Sequence, residues 1–354
     1  MTKTTLEQLA EKAQVSISTV SRVLNGKKGV NEGTRRRVLS ILAGANYGTA
    51  NAVAAARNNR VIGVLVPEAA QHWGLHSNFI REGLQAVTDI GRQSNYITMV
   101  GAFSPNLGDR AEDRMILDRE FAGVLLFRTR DEEQDSKPFR DHNIPYIVVN
   151  RLLPGSSIHY VGVDHCEVSR RATAYLLQCG YRRIGILLGD THYISHQLYS
   201  RGYEEAHAEA GLKVDPALMA TIELNAEEGY AGTERLMKQR KRPDALVVPS
   251  DRAAIGALKA MWELHIRVPM DVGLLSLDGT NETVFSNPPL TAVEMPWYEM
   301  LALSTTLLIR MVEDQPPIEQ IGIRFASRLV IRESTRGGGS LVKKPLEKHP
   351  QFPA

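Results

Sequence analysis

Two cysteines in 354 residues, Cys166 and Cys179, stand 13 positions apart, which suits neither a disulfide framework nor a thiolate metal site. Buried, inert thiols and a reducing compartment are expected. Long apolar runs are lacking too: none approaches the roughly 18 residues needed to cross a bilayer. Met1 to Gln14 is polar, without the apolar centre of an export signal. A cytoplasmic protein with no membrane partner is therefore expected. No GxSxG, P-loop, metal-ligand spacing or GxGxxG after a strand occurs, so neither enzyme activity nor a cofactor or metal is expected. What is plentiful is apolar surface, 43% of residues, enough over this length for two or three compact units.

Charge is scarce in sum and lopsided in placement. The formal net charge is +2. Through Arg60, however, ten basic residues face only Glu7, Glu11 and Glu32, so the first 60 residues carry +7 and the remainder carries −5. A basic terminal module on an acidic body is the electrostatic footprint of nucleic-acid binding.

Within that module, Thr5 can cap a helix with Leu6, Leu9, Ala10 and Ala13 on one face, and Gln14-Val15-Ser16 breaks the pattern. Ser16 opens a second helix, Ile17 to Leu24. There Val20, Val23 and Leu24 share a face, and Ile17, Ser18, Ser21 and Arg22 look outward. Asn31 or Thr34 opens a third helix running to about Asn46. Two short helices around so tight a turn form a helix-turn-helix unit.

The stretch VSISTVSRVLNG, Val15 to Gly26, followed by Thr34-Arg35 and Asn46-Tyr47, resembles the head of the lactose/galactose repressor family. That resemblance implies that the second helix enters the major groove of a DNA operator, with Ile17, Ser18 and Arg22 facing the bases. Arg22 has the forked donor that suits guanine O6 and N7, and Ile17 suits a thymine methyl. Ser16, Thr19, Ser21, Asn25 and Thr34 are implied as phosphate contacts, which set register. One such unit reads one half-site, so a homodimer on a palindrome is expected. The family's hinge helix, here within residues 49 to 60, inserts a leucine into the minor groove. In this chain Ala55 and Ala56 stand there, and the segment is about three residues shorter. A methyl is a poor wedge, so weaker operator bending is expected.

From Val61 the chain alternates β-rich apolar runs with amphipathic stretches, from Val61 to Val66 through Tyr146 to Asn150, and the rhythm restarts through Gly273 to Leu277. Continuous Val, Ile and Leu runs mark strands buried on both faces, hence parallel sheets covered by helices. The expected fold is an all-α helix-turn-helix head plus two doubly wound α/β lobes, a hinged clamshell like the periplasmic binding proteins. GVDH at Gly162, GYRRIGIL at Gly180, DRAAIGAL at Asp251 and LSLDG at Leu275, among others in the same order, resemble the same family's body. The implied organisation is a head at 1–48, a hinge at 49–60 and an effector-binding and dimerisation domain at 61–335. Its N-lobe is 61–161 with 291–321, and its C-lobe 162–290 with 322–335. A disordered tail, 336–354, follows.

A small polar effector, such as a sugar, sugar derivative or nucleobase, is expected between the lobes at the carboxyl ends of strands. Asp278 matches the family's acidic residue for ligand hydroxyls. Asp251 either touches the ligand or caps the helix that follows it. Trp73 either stacks on the ligand or packs at a lobe edge. The family's arginine three residues before the glycine of the RGY-like segment is replaced here by Tyr199, with Arg201 just before Gly202. Arg128 or Arg151 is then the candidate cation. The leading expectation is an effector-controlled transcription regulator, a repressor by resemblance. The alternative is a solute-binding sensor or transport-type binding protein with no DNA role.

Overall fold

The computed structural model describes residues 6–24, 29–44, 60–67, 79–104, 106–108, 110–127, 129, 131–313 and 320–335. Thr5, Asn25, Ala55, Ala56, Trp73, Arg128 and the tail lie outside them, as does nearly all of the hinge.

The head holds α1 (Leu6–Ala13), α2 (Ile17–Leu24) and α3 (Glu32–Gly44). Ser16 caps α2 as its spacing implies: its Oγ accepts from Thr19 N at 3.2 Å. Asn31, rather than Thr34, opens α3, since its Oδ1 accepts from Thr34 N at 2.8 Å. Leu9, Ala10, Ala13, Val20, Val23, Val38 and Leu39 close a core of their own. At about 1.5–3 kcal/mol for each fully buried large aliphatic side chain, this small set is what holds three short helices together.

In the first lobe, β1 (Val61–Pro67), β2 (Ile97–Phe103), β3 (Gly123–Leu126), β4 (Tyr146–Val149) and β5 (Tyr160–Val163) alternate with α4 (Phe79–Gln93), α5 (Ala111–Leu117) and α6 (Glu132–Asp141). The sheet order is β11-β5-β4-β3-β1-β2, with β11 (Gly322–Phe325) at one edge. Every residue of β3 and β4 is buried, as strands covered on both faces require.

The second lobe takes α7 (His165–Gln178), β6 (Ile184–Leu188), α8 (Ile194–Glu209), β7 (Met219–Thr221), α9 (Ala226–Met237), β8 (Ala245–Val248), α10 (Asp251–Glu263), β9 (Gly273–Ser276), α11 (Glu282–Phe285), β10 (Thr291–Glu294) and β12 (Arg328–Val330). Its order is β12-β10-β9-β8-β6-β7, parallel except for β12. α12 (Trp297–Glu313) lies between β10 and β11 in the chain.

Two crossings differ from the expected 290 and 322. β10 pairs in the second sheet, so the chain leaves that lobe only at Trp297. β11 belongs to the first sheet, so the return falls after Ile323. The reason is that short polar-flanked strands such as TAVE carry no face-to-face pattern that assigns them to one sheet or the other.

α9 and α10 pack so closely that a methyl group on Gly256 would overlap the Ala226 carbonyl oxygen. Backbone cannot retreat as a flexible side chain can. Gly256→Val is expected to cost about 3 kcal/mol or more, read as a lowered urea midpoint at unchanged slope.

Candidate functional site

The side chains expected to form sites lie on the head and at the strand ends of the two lobes. On the head, the division of α2 into two faces is complete at the residues described. Val20 and Val23 are fully buried, while Ser16, Ile17, Ser18 and Arg22 are exposed, Ile17 at 47%. An isoleucine left open to water beside an unburied arginine is poor packing for a bundle and good preparation for a groove. Thr19 and Thr34 are half-buried at the same helix starts. Ser21 lies on α2. Ser16 Oγ also meets Ser18 Oγ and Thr19 Oγ1, each at 2.8 Å, so a ring of hydroxyls surrounds the start of α2.

In the second lobe, Asp251 is the first residue of α10, and Ser250 caps the helix, its Oγ accepting from Ala253 N. Capping is thus not what Asp251 does. Its carboxylate is fully buried and accepts from Ser276 Oγ, from Gly279 N at 3.2 Å, and from Thr280 N and Oγ1 at 2.6 and 2.7 Å. Burial pushes its pKa up, against the hydrogen bonds that favour the ionised form. These donors bracket Asp278, which is half-buried on the loop after β9. Gly279 completes the bend with φ of +64°, and a side chain there would overlap the Glu294 backbone. Asp251 therefore holds the loop that presents Asp278, and its own oxygens are already spent.

Tyr199 is buried on α8. Its hydroxyl meets His165 Nδ1 at 3.0 Å, with the two rings edge to face at 5.0 Å. His196 packs on the same phenol at 5.8 Å and accepts from Gly189 N at 3.4 Å. Sequence reasoning passed over His165 and His196, because single histidines near helix starts carry no spacing signal. Arg201, two residues on and so about 200° around the helix, is exposed and pairs with Glu205 at 2.7 Å. Its expected place beside an effector is not supported, since its guanidinium serves the helix surface. Cys166 is half-buried rather than fully buried. Burial, reinforced by Glu205, pushes its thiol up to about 11, so it stays protonated and unreactive.

In the first lobe, Arg151 follows β4 and is 7% exposed. Its Nη2 pairs with Glu132 in the first turn of α6, and Thr129 Oγ1 donates to that carboxylate at 3.2 Å. Nε and Nη1 are buried and find no acceptor among the described residues. Each such donor costs about 1–3 kcal/mol.

Two family models match in tandem. The bacterial regulatory proteins of the lacI family match residues 5–50, and the periplasmic binding protein-like domain matches residues 173–335. Near full-length relatives agree. Catabolite control protein A of Priestia megaterium is 24% identical over 342 residues, covering 94% of this chain and 99% of the relative. The HTH-type transcriptional regulator AscG of Escherichia coli K12 is 28% identical over 340 residues, covering 94% and 98%. The chain carries a lacI-family DNA-binding head, and its near full-length relatives are transcription regulators.

The protein is thus a DNA-binding transcription regulator with a helix-turn-helix head and two doubly wound lobes, and the match over the head decides against a transport-type binding protein. Its fold is also that of the CelR–cellobiose complex, with a TM-score of 0.68 and 25% identity over 94% of this chain and 99% of that one. The lac repressor dimer bound to operator matches with a TM-score of 0.66 at 22% identity, over the same shares of the two chains. The relatives are transcription regulators, and no described helix is long and apolar enough to cross a membrane.

Removing the buried carboxylate of Asp251 strands its donors. Asp251→Ala is expected to destabilise the body by about 3 kcal/mol, measured by urea unfolding. Asp278→Ala, on the same loop, is expected to change stability by less than about 1 kcal/mol.

Proposed function

We propose that this regulator represses transcription by binding a palindromic operator as a homodimer, and that a small polar effector, a sugar or related molecule, sets its operator affinity. The observation that carries the DNA half is the two-faced α2. Val20 and Val23 anchor it, and Ile17, Ser18 and Arg22 are left exposed to reach base edges from a module that carries +7. Ser16, Thr19 and Thr34 then serve as phosphate contacts, with the amides at the start of α2 adding to them. A DNA role is consistent with a cytoplasmic location, and the function needs no catalysis.

The effector half is supported by where polar groups gather. Asp278, Ser250 and Asp251 follow strands of the second lobe, and Thr129 and Arg151 follow strands of the first. Asp278 accepts ligand hydroxyls, and Asp251 acts through it. The relative solved with cellobiose is consistent with a sugar. An effector matters only through its differential affinity for two states of the protein, so its binding and operator binding must change one another by the same factor.

Operator affinity is expected to fall steeply and linearly in log–log terms with added salt, measured by fluorescence anisotropy on labelled duplexes. Arg22→Ala should cost about 1–3 kcal/mol and flatten preference at one base pair per half-site. Equal binding by wild type and variant to every duplex would sink the recognition role. Asp278→Ala should abolish the response to an effector found by thermal-shift screening while operator binding stays within twofold; an unchanged response would remove Asp278 from the site.

A further inference from the structure

The amino ends of the second lobe's strands, opposite the ends that carry Asp251 and Asp278, hold the body's densest run of positive charge. Lys238 to Arg242, on the turn between α9 and β8, puts four cations into five residues, although the chain beyond Arg60 sums to −5. β6, β8 and β9 are neighbours in the sheet, so this turn stands beside Arg182 and Arg183 before β6 and beside the loop Arg267 to Asp271 before β9. Contacts join the three. Arg183 donates to the carbonyls of Lys241 and Arg242 at 2.7 and 3.4 Å. Arg267 first, and Arg242 after it, hold the Asp271 carboxyl well below the usual carboxylate range.

The carboxylates around the turn are already taken. Asp215 pairs with Arg183 at 3.2 Å, Asp271 with Arg267 at 2.8 Å and Glu234 with Lys238 at 2.9 Å. Asp244 accepts from the backbone N–H groups of Arg182 and Arg183 at 2.9 and 3.0 Å. Arg240, Lys241 and Arg242 are exposed, and none of the ion pairs among the described residues uses them. A helix C-terminus accounts for a cation within its last turn only, and Lys238 already stands at the C-cap of α9. The three charges that follow repel one another without a return inside the lobe. Beside them, in the loop before β9, Met270 is 66% exposed. A lone exposed methionine is ordinary, but an adaptable thioether set among exposed arginines is the composition of a protein-docking surface. A nucleic-acid backbone would gain nothing from Met270 and would meet four carboxylates on the same face. A protein segment can set its own carboxylates between them.

We infer that this end of the second lobe is a docking surface for an acidic segment of a partner protein, with Arg240, Lys241 and Arg242 taking its carboxylates and Met270 an apolar side chain. The forked guanidinium groups suit carboxylates in pairs. The surface uses the strand ends opposite those that carry Asp251 and Asp278, so such a partner and an effector do not compete for the same groups.

The test titrates full-length protein into a fluorescein-labelled peptide of Glu-Leu-Asp-Glu repeats, read by anisotropy, with a Gln-Leu-Asn-Gln peptide and a labelled duplex of arbitrary sequence as comparators. Wild type is expected to bind the acidic peptide at least about tenfold more tightly than the amide one. Lys241→Glu/Arg242→Glu should lose at least about tenfold of that affinity, and Met270→Ser about threefold, while duplex binding by either variant stays within about twofold of wild type. The basic head also attracts acids, so Arg36→Glu/Arg37→Glu is the control: it should weaken duplex binding and keep most of the peptide's affinity. A Lys-Leu-Arg-Lys peptide should bind Lys241→Glu/Arg242→Glu better than wild type, a gain that a damaged fold cannot give. The inference is overturned if wild type does not prefer the acidic peptide, if the preference survives Lys241→Glu/Arg242→Glu, or if the basic peptide binds both proteins alike. A loss of duplex affinity in Lys241→Glu/Arg242→Glu without a loss of peptide affinity overturns it too, in favour of a nucleic-acid contact.

Discussion

A parallel strand covered by helices on both faces has no room for polar side chains except at its ends. β3, β4, β6, β8 and β9 are buried throughout, and their side chains are almost entirely aliphatic. Chemistry is displaced to the residues that follow them. Thr129 lies beyond β3, Arg151 beyond β4, Gly189 beyond β6, Ser250 and Asp251 beyond β8, and Asp278 beyond β9. The register of a strand is enforced by every aliphatic side chain along it, so these terminal groups inherit fixed positions that no loop alone could give them.

The buried charges at these ends have been settled in two different ways. Asp251 is satisfied by hydroxyl and amide donors within its own lobe. That arrangement is complete, and it spends a charge on holding a loop. Arg151 has its counter-ion in Glu132, while its Nε and Nη1 find no acceptor among the described residues. Complete satisfaction belongs to a part that stays as it is. Incomplete satisfaction of a buried donor is uncommon and needs a physical account of its own.

Most of this architecture was legible in the residues. Strands begin at Val61, Tyr146 and Gly273 as expected, and α2 has the two faces that its spacing implies. α6 was not legible, because Glu132–Asp141 is acid-rich and contains Pro138, which together read as a loop. The crossings after β10 and β11 were misplaced because four-residue strands carry too little pattern. In the candidate site, the roles of Asp251 and Arg201 depend on facts with no sequence signature. Asp251 is spent on a loop 25 to 29 residues away, and Arg201 faces off α8. His165 meets Tyr199 across 34 residues, a contact that only the packing of α7 on α8 creates.

The exchange at Tyr199 bears on how far likeness to relatives can be carried. Where the resemblance leads one to expect an arginine, this chain buries a phenol against two imidazoles, and all three rings find polar or stacking partners. Neither backbone nor lobe need change for this, because a tyrosine fills a comparable volume and its hydroxyl is satisfied by a neighbour already present. Fold and DNA role survive the exchange, since neither uses that side chain. Ligand class need not, because it is set by donors, acceptors and charge at a few positions. A relative at 25% identity can share every strand and still bind a different molecule. What the effector is must follow from the side chains at the strand ends as they stand in this chain.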